Sequence, residues 1–254
     1  MLSDISMNEK IIKFNSEIQS IQIDQYLNEI WIKETDNNYY SIIQLNDLKV
    51  KKLEIRGLEK FNLFEVNNGL AAFKKVHDPS KIYEAGFKIY SIWNKEFIKE
   101  KEGFRFINFN SYNTYEFSRQ QFESIEYFSE NLDVPELSNQ LSNQKTITKP
   151  DIIHKGQDFY LNVIKHFASL LKGEIIGAIE YAESSNLIFF SFHTRQNETL
   201  DKYLLALNEK KEIAFKKLCN QKIDKLIPET FFLYGKFLIF VSSFNTLHII
   251  NFTE

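Results

Sequence analysis

With Cys219 as its only cysteine, the chain has no internal disulfide to hold it, and a reducing compartment is its natural setting. Four prolines and eight glycines in 254 residues are too few for a collagen-like or Pro/Gly-rich low-complexity chain. The longest apolar runs, such as Phe237–Val241, fall far short of the roughly 20 residues that a membrane-spanning helix needs. The opening MLSDISMNEKIIKF has no basic region followed by a long apolar run, so it does not read as a signal peptide. Charge of one sign is also missing. Lys and Arg number 31 against 34 Asp and Glu, interspersed to a formal net charge of −3, which gives no broad footprint for nucleic acid or an anionic membrane. Neither partner is expected, and the expected location is the cytoplasm.

The signatures of common chemistry are missing as well. No GxxxxGK[ST] loop, GxGxxG, HExxH or paired CxxC occurs, so phosphate cradling, dinucleotide binding and the usual zinc sites lack their sequence marks. The five histidines, His77, His154, His166, His193 and His248, are not spaced as metal ligands. No catalytic residue, cofactor or metal is therefore expected.

What is present is a balance of 43% hydrophobic and 26% charged residues, with 24 Phe and 12 Tyr, which fits a folded chain built of tightly packed strands. The organising stretch is Gly173–Leu218. Its apolar segments Ile175–Tyr181, Leu187–His193, Leu200–Leu207 and Ile213–Leu218 have strand length and strand residues, with polar turn clusters between them. Together they predict a four-stranded antiparallel meander. A second meander is predicted over Ser20–Asp24, Glu29–Lys33, Tyr39–Leu45 and Val50–Ile55, and a third over Phe61–Val66, Leu70–Val76, Phe87–Trp93 and Phe97–Lys101. Asn67-Asn68-Gly69 marks a hairpin turn, because Asn and Gly tolerate positive φ.

Phe104–Asn108, Tyr115–Phe117 and Phe122–Phe128 add further strands. Residues 129–151, rich in Ser, Asn and Gln, predict a long flexible surface loop. Helical spacing over 158–172 predicts one α-helix with Phe159, Val163, Phe167 and Leu170 on a buried face. The last three strands are Phe231–Tyr234, Phe237–Val241 and Thr246–Phe252. Thr246–Phe252 then has an apolar edge with no local partner, and Glu9–Phe14 is a short strand in the same position. Ile11–Phe14 is therefore expected to pair with Thr246–Phe252.

A degenerate pattern recurs along the chain: a triplet with apolar ends, a polar turn, then apolar residues three apart. Its triplets are Ile43-Gln44-Leu45, Tyr90-Ser91-Ile92, Tyr115-Glu116-Phe117, Leu205-Ala206-Leu207 and Ile250-Asn251-Phe252. The steps from Leu45 to Ile92 and from Leu207 to Phe252 are 47 and 45 positions, the spacing of four-stranded propeller blades, whereas the steps from Ile92 to Phe117 and from Phe117 to Leu207 are 25 and 90 and leave the repeat irregular in the middle of the chain. The helix with Phe159, Tyr160, Val163 and Phe167, followed by IGAIEY, LIFFSF, KYLLALNEKKEI and FFLYGKFLIFV, resembles an uncharacterised bacterial domain-of-unknown-function family with propeller-like β repeats. The resemblance covers Gly156–Phe252 and implies no catalytic residue or cofactor.

These readings predict a mostly β, single-domain protein over residues 1–254, made of propeller-like repeated antiparallel meanders with one inserted α-helix. A two-sheet β-sandwich with an edge helix is the alternative. The expected function is a non-catalytic interaction or scaffold module for a protein or small-molecule partner. The alternative is an enzyme or a binding protein for a small molecule such as a sugar. Candidate ligand or partner residues are the aromatics Trp31, Phe189 and Phe190, with His193 facing Asp201 across a hairpin. Core packing between sheets competes with that use of the rings. Cys219, although near Lys216, Lys217 and Lys222, is expected to be an inert thiol.

Overall fold

The computed structural model describes residues 6–35, 39–76, 85–110, 113–121, 124–133, 146–167, 174–184, 186–227 and 231–253. The chain forms β1 (Ser6–Lys13), β2 (Ile18–Asp24), β3 (Glu29–Glu34), β4 (Tyr39–Gln44), β5 (Val50–Glu54), β6 (Phe61–Asn67), β7 (Leu70–Lys75), β8 (Gly86–Ser91) and β9 (Glu96–Glu102). Next come β10 (Arg105–Phe109), β11 (Thr114–Gln121), β12 (Ser124–Asn131), β13 (Ile147–Thr148), β14 (Asp151–Ile153) and α1 (Asp158–Phe167). The chain closes with β15 (Glu174–Ser184), β16 (Leu187–Gln196), β17 (Thr199–Asn208), β18 (Ile213–Ile223), β19 (Phe231–Tyr234), β20 (Phe237–Ser242) and β21 (Thr246–Thr253). It is mostly β with one helix among the described residues, and the predicted meanders are present as antiparallel sheets.

The chain divides into two compact units, Ser16–Gln144 and the combination of Met1–Asn15 with Lys145–Glu254. The first contains the sheets β2-β3-β4-β5, β6-β7-β8-β9 and β10-β11-β12. Alternation of apolar and polar residues gives each strand a face to bury. Trp31, Tyr40, Ile42, Leu63, Val66 and Phe73 join one core, and Leu70, Phe87, Ile89, Phe106, Tyr115 and Phe117 join a second. The middle sheet therefore buries both faces: Ala71 and Phe73 point one way, and Leu70 and Ala72 the other. Edge-on ring contacts such as Tyr40 to Phe73 at 5.5 Å and Phe87 to Phe106 at 5.6 Å suit the aromatic quadrupole.

The second unit has a sheet ordered β14-β15-β16-β17-β18 and another ordered β1-β21-β20-β19-β13. The expected pairing of the two ends of the chain is present and longer than predicted, running from Ser6 opposite Thr253 to Lys13 opposite Thr246. One extra bond, from Phe14 N–H to Asn245 O at 2.8 Å, extends it. Neighbouring Phe189 and Phe190 point to opposite faces of β16. Phe189 joins a core with Leu204, Leu238, Phe240 and Ile250, whereas Phe190 joins one with Ile179, Leu205 and the helical residues Tyr160 and Val163.

Two predictions give way in part. Residues 129–151 are not loop throughout: 129–131 complete β12, Ile147–Thr148 pairs with β19, and Asp151–Ile153 pairs with β15. These short runs take their strand state from a partner's free edge, not from local apolar content. Residues 134–145 lie outside the described residues. The helix shows Tyr160 and Val163 as its buried residues, while Phe159 is exposed and meets the Tyr181 ring edge-on at 5.3 Å. The Tyr160 hydroxyl donates to Gly177 O at 3.0 Å, a bond that turns this ring inward in place of its neighbour. Leu170 and the Phe167 side chain lie outside the description.

The triplets fall on β4, β8, β11, β17 and β21, with Leu45 and Ile92 one residue beyond their strands. In each sheet that strand is the neighbour of an edge strand, respectively β5, β9, β12, β18 and β1.

Candidate functional site

Trp31, Phe189 and Phe190 are all buried, so their rings serve the cores. His193 lies opposite Lys202, and Asp201 opposite Thr194. Adjacent strand residues point to opposite faces, so the expected His193–Asp201 pair does not form. The Asp201 carboxylate instead accepts the Lys222 N–H at 3.0 Å.

His193 belongs to a buried polar group that the sequence did not reveal. Lys202 is 1% exposed and stands 3.5 Å from Glu180, and its ammonium donates to Ile227 O. His193 Nε2 accepts the Ile227 N–H at 3.1 Å, so these two side chains hold both backbone groups of one residue. Burial, aided by Lys202, lowers the His193 pKa to about 4, which keeps the ring neutral and its Nε2 an acceptor. Burial also lowers Lys202 to about 8 against the pull of Glu180. Cys219, on the same sheet, is pushed up to about 12 by burial despite Lys202 and Lys217, so it stays a thiol as expected.

A second group draws on four strands, β1, β18, β20 and β21. Ser242 Oγ lies 2.7 Å from His248 Nε2, and His248 Nδ1 lies 2.6 Å from Glu9 Oε1, which Lys217 also approaches at 3.2 Å. Burial lowers the His248 pKa although Glu9 opposes it. The neutral ring therefore donates from Nδ1 to the carboxylate and accepts the Ser242 hydroxyl proton at Nε2. Burial raises the Glu9 pKa, but the His248 and Lys217 donors outweigh it and hold the carboxyl below its usual range.

The atom order is that of a nucleophile–imidazole–carboxylate relay. However, Ser242 and His248 are 7% and 2% exposed, and the Phe240 ring stacks on the imidazole at 4.5 Å. That leaves almost no surface for a substrate, and the relay ties β1 to β21 and β20. No local signal marks it, because its members are 239 and 6 residues apart in the chain.

In the other unit, Asp24 is fully buried and accepts four backbone N–H groups. Burial raises its pKa, and the amides of Gly69, Leu27, Asn68 and Tyr26 offset the rise. Opposite Asp24 on β3 is Glu29, raised to about 7 by burial and then by the Asp24 charge, with Gln44 donating to it. Glu65 is raised to about 7 by burial, against a 3.3 Å bond from Phe109 N–H. Both carboxyls favour folding while protonated. Their contribution is complete below the ordinary value of 4.5 and is lost as pH rises through about 7. The melting temperature should therefore fall between about pH 5 and about pH 8.5, and Glu29→Gln should flatten that fall in a scan of melting against pH. An unchanged slope in the variant would mean that Glu29 is ionised in the fold.

Exposed apolar side chains gather at β12. It is exposed along almost its whole length, with Ile125 at 53% and Tyr127 at 71%. It pairs with β11 on one side, and among the described residues no strand pairs with its other side. Phe128 stacks on Phe117 at 5.2 Å, which fixes the inner row as Glu126, Phe128 and Glu130 and leaves Ile125 and Tyr127 in the outer row. The sequence named this segment as a strand but not as a site. The one local mark is that the strand lacks lysine, and that mark gains meaning only once β12 is known to be an edge.

No helix among the described residues is long and apolar enough to cross a membrane, and no group of metal-ligating side chains appears among them. No protein-family model matches the sequence, and no curated protein sequence matches it. Among solved structures, the chain is similar to an uncharacterized protein of Listeria monocytogenes EGD-e at 10% identity and a TM-score of 0.35, over 92% of this chain and 94% of that one. It is also similar to Hsv2 of Kluyvelomyces marxianus at 10% identity and a TM-score of 0.31, over 92% of this chain and 72% of that one. Likenesses this loose fix neither an architecture nor an activity.

Proposed function

We propose that this chain is a non-catalytic interaction module that binds a protein partner in the cytoplasm, with its repeated meanders forming a propeller-like scaffold. The recurrence of the triplet beside one edge of every described sheet supports the repeated architecture. The observation that carries the functional reading is the contrast between the buried polar groups and β12. The titratable clusters around Lys202, His248 and Asp24 spend their hydrogen bonds on the chain itself. The exposed aromatic and aliphatic side chains of β12, by contrast, have surface to offer a partner.

The test is affinity capture from the native host with the wild-type chain and an Ile125→Lys/Tyr127→Lys variant as baits. Both residues are exposed, so the variant should keep its melting temperature within about 1 °C. A protein retained by the wild type and lost by the variant is expected. Equal capture by both baits would overturn the reading.

A further inference from the structure

We infer that the open side of β12 is a strand-addition site for an extended polypeptide segment that alternates apolar and basic side chains. The inference rests on the interaction reading above and adds the chemistry of the partner. Six edge strands flank the triplet strands: β10 opens with Arg105, and four of the others carry the usual guard against pairing with another chain. Lys10 and Lys13 lie on β1, Lys51 and Lys52 on β5, Lys99 and Lys101 on β9, and Lys216, Lys217 and Lys222 on β18. An edge lysine resists strand addition because pairing must crowd or desolvate its charge. The sequence of β12, SIEYFSEN, has no lysine or arginine.

The backbone of β12 is also suited to pairing. Its eight residues match β11 one for one from Ser124 to Asn131 without a register shift. The ladders of β9 and β18 contain shifts, which bend an edge away from a partner. A regularly paired strand whose other side has no partner among the described residues presents a row of N–H and C=O groups for an added strand.

The side chains then select among segments. Those set beside Ile125 and Tyr127 gain by being apolar. On the inner row Glu130 is already engaged, by Lys101 at 2.6 Å and by the Tyr115 hydroxyl at 2.7 Å. Glu126 is the exposed acid, held by Gln121 Nε2 at 3.2 Å and facing Arg119 across the strand pair, and a basic residue of an incoming segment completes its surroundings. A second copy of this chain fits less well, because two β12 strands bring together two Glu126 carboxylates with no base on either strand.

The experiment uses the full chain and fluorescein-labelled synthetic peptides of eight residues: one alternating Val and Lys, one alternating Val and Glu, and one Val-Lys peptide interrupted by proline. Binding is read by fluorescence anisotropy at low and high salt. The Val-Lys peptide should bind about tenfold more tightly than the Val-Glu peptide, with the difference shrinking in high salt. The proline version should lose binding because its backbone lacks donors. Ile125→Lys/Tyr127→Lys should abolish binding, and Glu126→Lys should reverse the preference toward the Val-Glu peptide, with melting curves confirming that both variants fold.

Equal binding of the proline peptide, or full binding by the double-lysine variant, would overturn strand addition at β12. A wild-type dimer in analytical ultracentrifugation that the double-lysine variant abolishes would overturn the proposed partner in favour of a second copy. If the double-lysine variant loses host capture but no peptide binds the wild type, strand addition fails and the interaction module stands. If capture is unaffected as well, both fail.

Discussion

Deleting residues 1–13 is expected to turn the protein into an aggregating species with no cooperative thermal transition. The strand β1 is bound to β21 over eight residue pairs, and the Lys13–Thr246 end of that ladder is secured by two further bonds. Phe14 N–H donates to Asn245 O at 2.8 Å, and Asn245 Nδ2 donates back to Phe14 O at 3.3 Å. At roughly 1 kcal/mol net per backbone bond, the ladder is comparable with the about 5–15 kcal/mol that holds a domain folded. Its removal also takes Glu9 from His248, leaving a buried imidazole N–H without its acceptor. The edge then uncovered belongs to β21, whose Leu247, Ile249, Ile250 and Phe252 are buried in the intact protein. An apolar edge of that length invites pairing with other chains. Size-exclusion chromatography with a thermal melt checks the outcome, and a monomeric truncate with the wild-type melting temperature would show that β1 is peripheral. The single change Glu9→Gln keeps the ladder and should cost far less, on the order of 1–2 kcal/mol by urea unfolding.

That pairing was legible because it follows from an imbalance any reader of the sequence can see: an apolar terminal strand with no partner nearby, and a second such strand at the other end. The meanders were legible for a similar reason, since alternation and turn residues act within a few positions. The Asn68-Gly69 turn carries φ values of 49° and 71°, as its residue types require. Errors arose where a partner's context decides. Ile147–Thr148 and Asp151–Ile153 are strands only because β19 and β15 offer them edges. The helix turned Tyr160 inward in place of Phe159 because Gly177 O, on a bulged part of β15, accepts its hydroxyl.

The candidate site was the least legible part. Aromatic richness drew attention to Trp31, Phe189 and Phe190, yet rings at 0%, 1% and 5% exposure serve cores. Tyr127, the most exposed large apolar side chain described, sits in an ordinary-looking alternation. What distinguishes its strand is visible only by comparing edges that play the same part in different sheets, and that comparison requires knowing which strands are edges. The buried charges were illegible for another reason: Lys202 and Glu180, or Glu9 and His248, meet only after the sheets assemble.

Asp24 shows the consequence of that blindness, and Asp24→Ala should be among the most destabilising single substitutions in the unit formed by residues 16–144. One carboxylate oxygen accepts the N–H groups of Tyr26, Leu27 and Asn68 at 3.0, 3.1 and 3.0 Å, and the other accepts Gly69 N–H at 2.6 Å. The first two bonds close the turn after β2, a role an Asp at that position performs locally. The last two reach 44 and 45 residues along the chain and dock the β6–β7 hairpin turn onto it. Trp93 holds the same turn from another side, its indole N–H donating to Asn68 O at 3.0 Å. A Cβ on Gly69 would come within 2.6 Å of that indole nitrogen, so glycine is required there both for its φ and for the close approach. Alanine at position 24 strands four amides, two of them in a buried turn, and the expected loss is at least about 4 kcal/mol. Asn keeps an oxygen for the three amides on one side but sets an NH2 group against Gly69 N–H, so Asp24→Asn should lose about half as much. Urea unfolding of the two variants measures the order. Equal losses would mean that the Gly69 bond carries the whole effect and the oxygen shared by three amides adds nothing, and a loss under about 1 kcal/mol for alanine would mean that water replaces the carboxylate and the hairpins are not tied at this point.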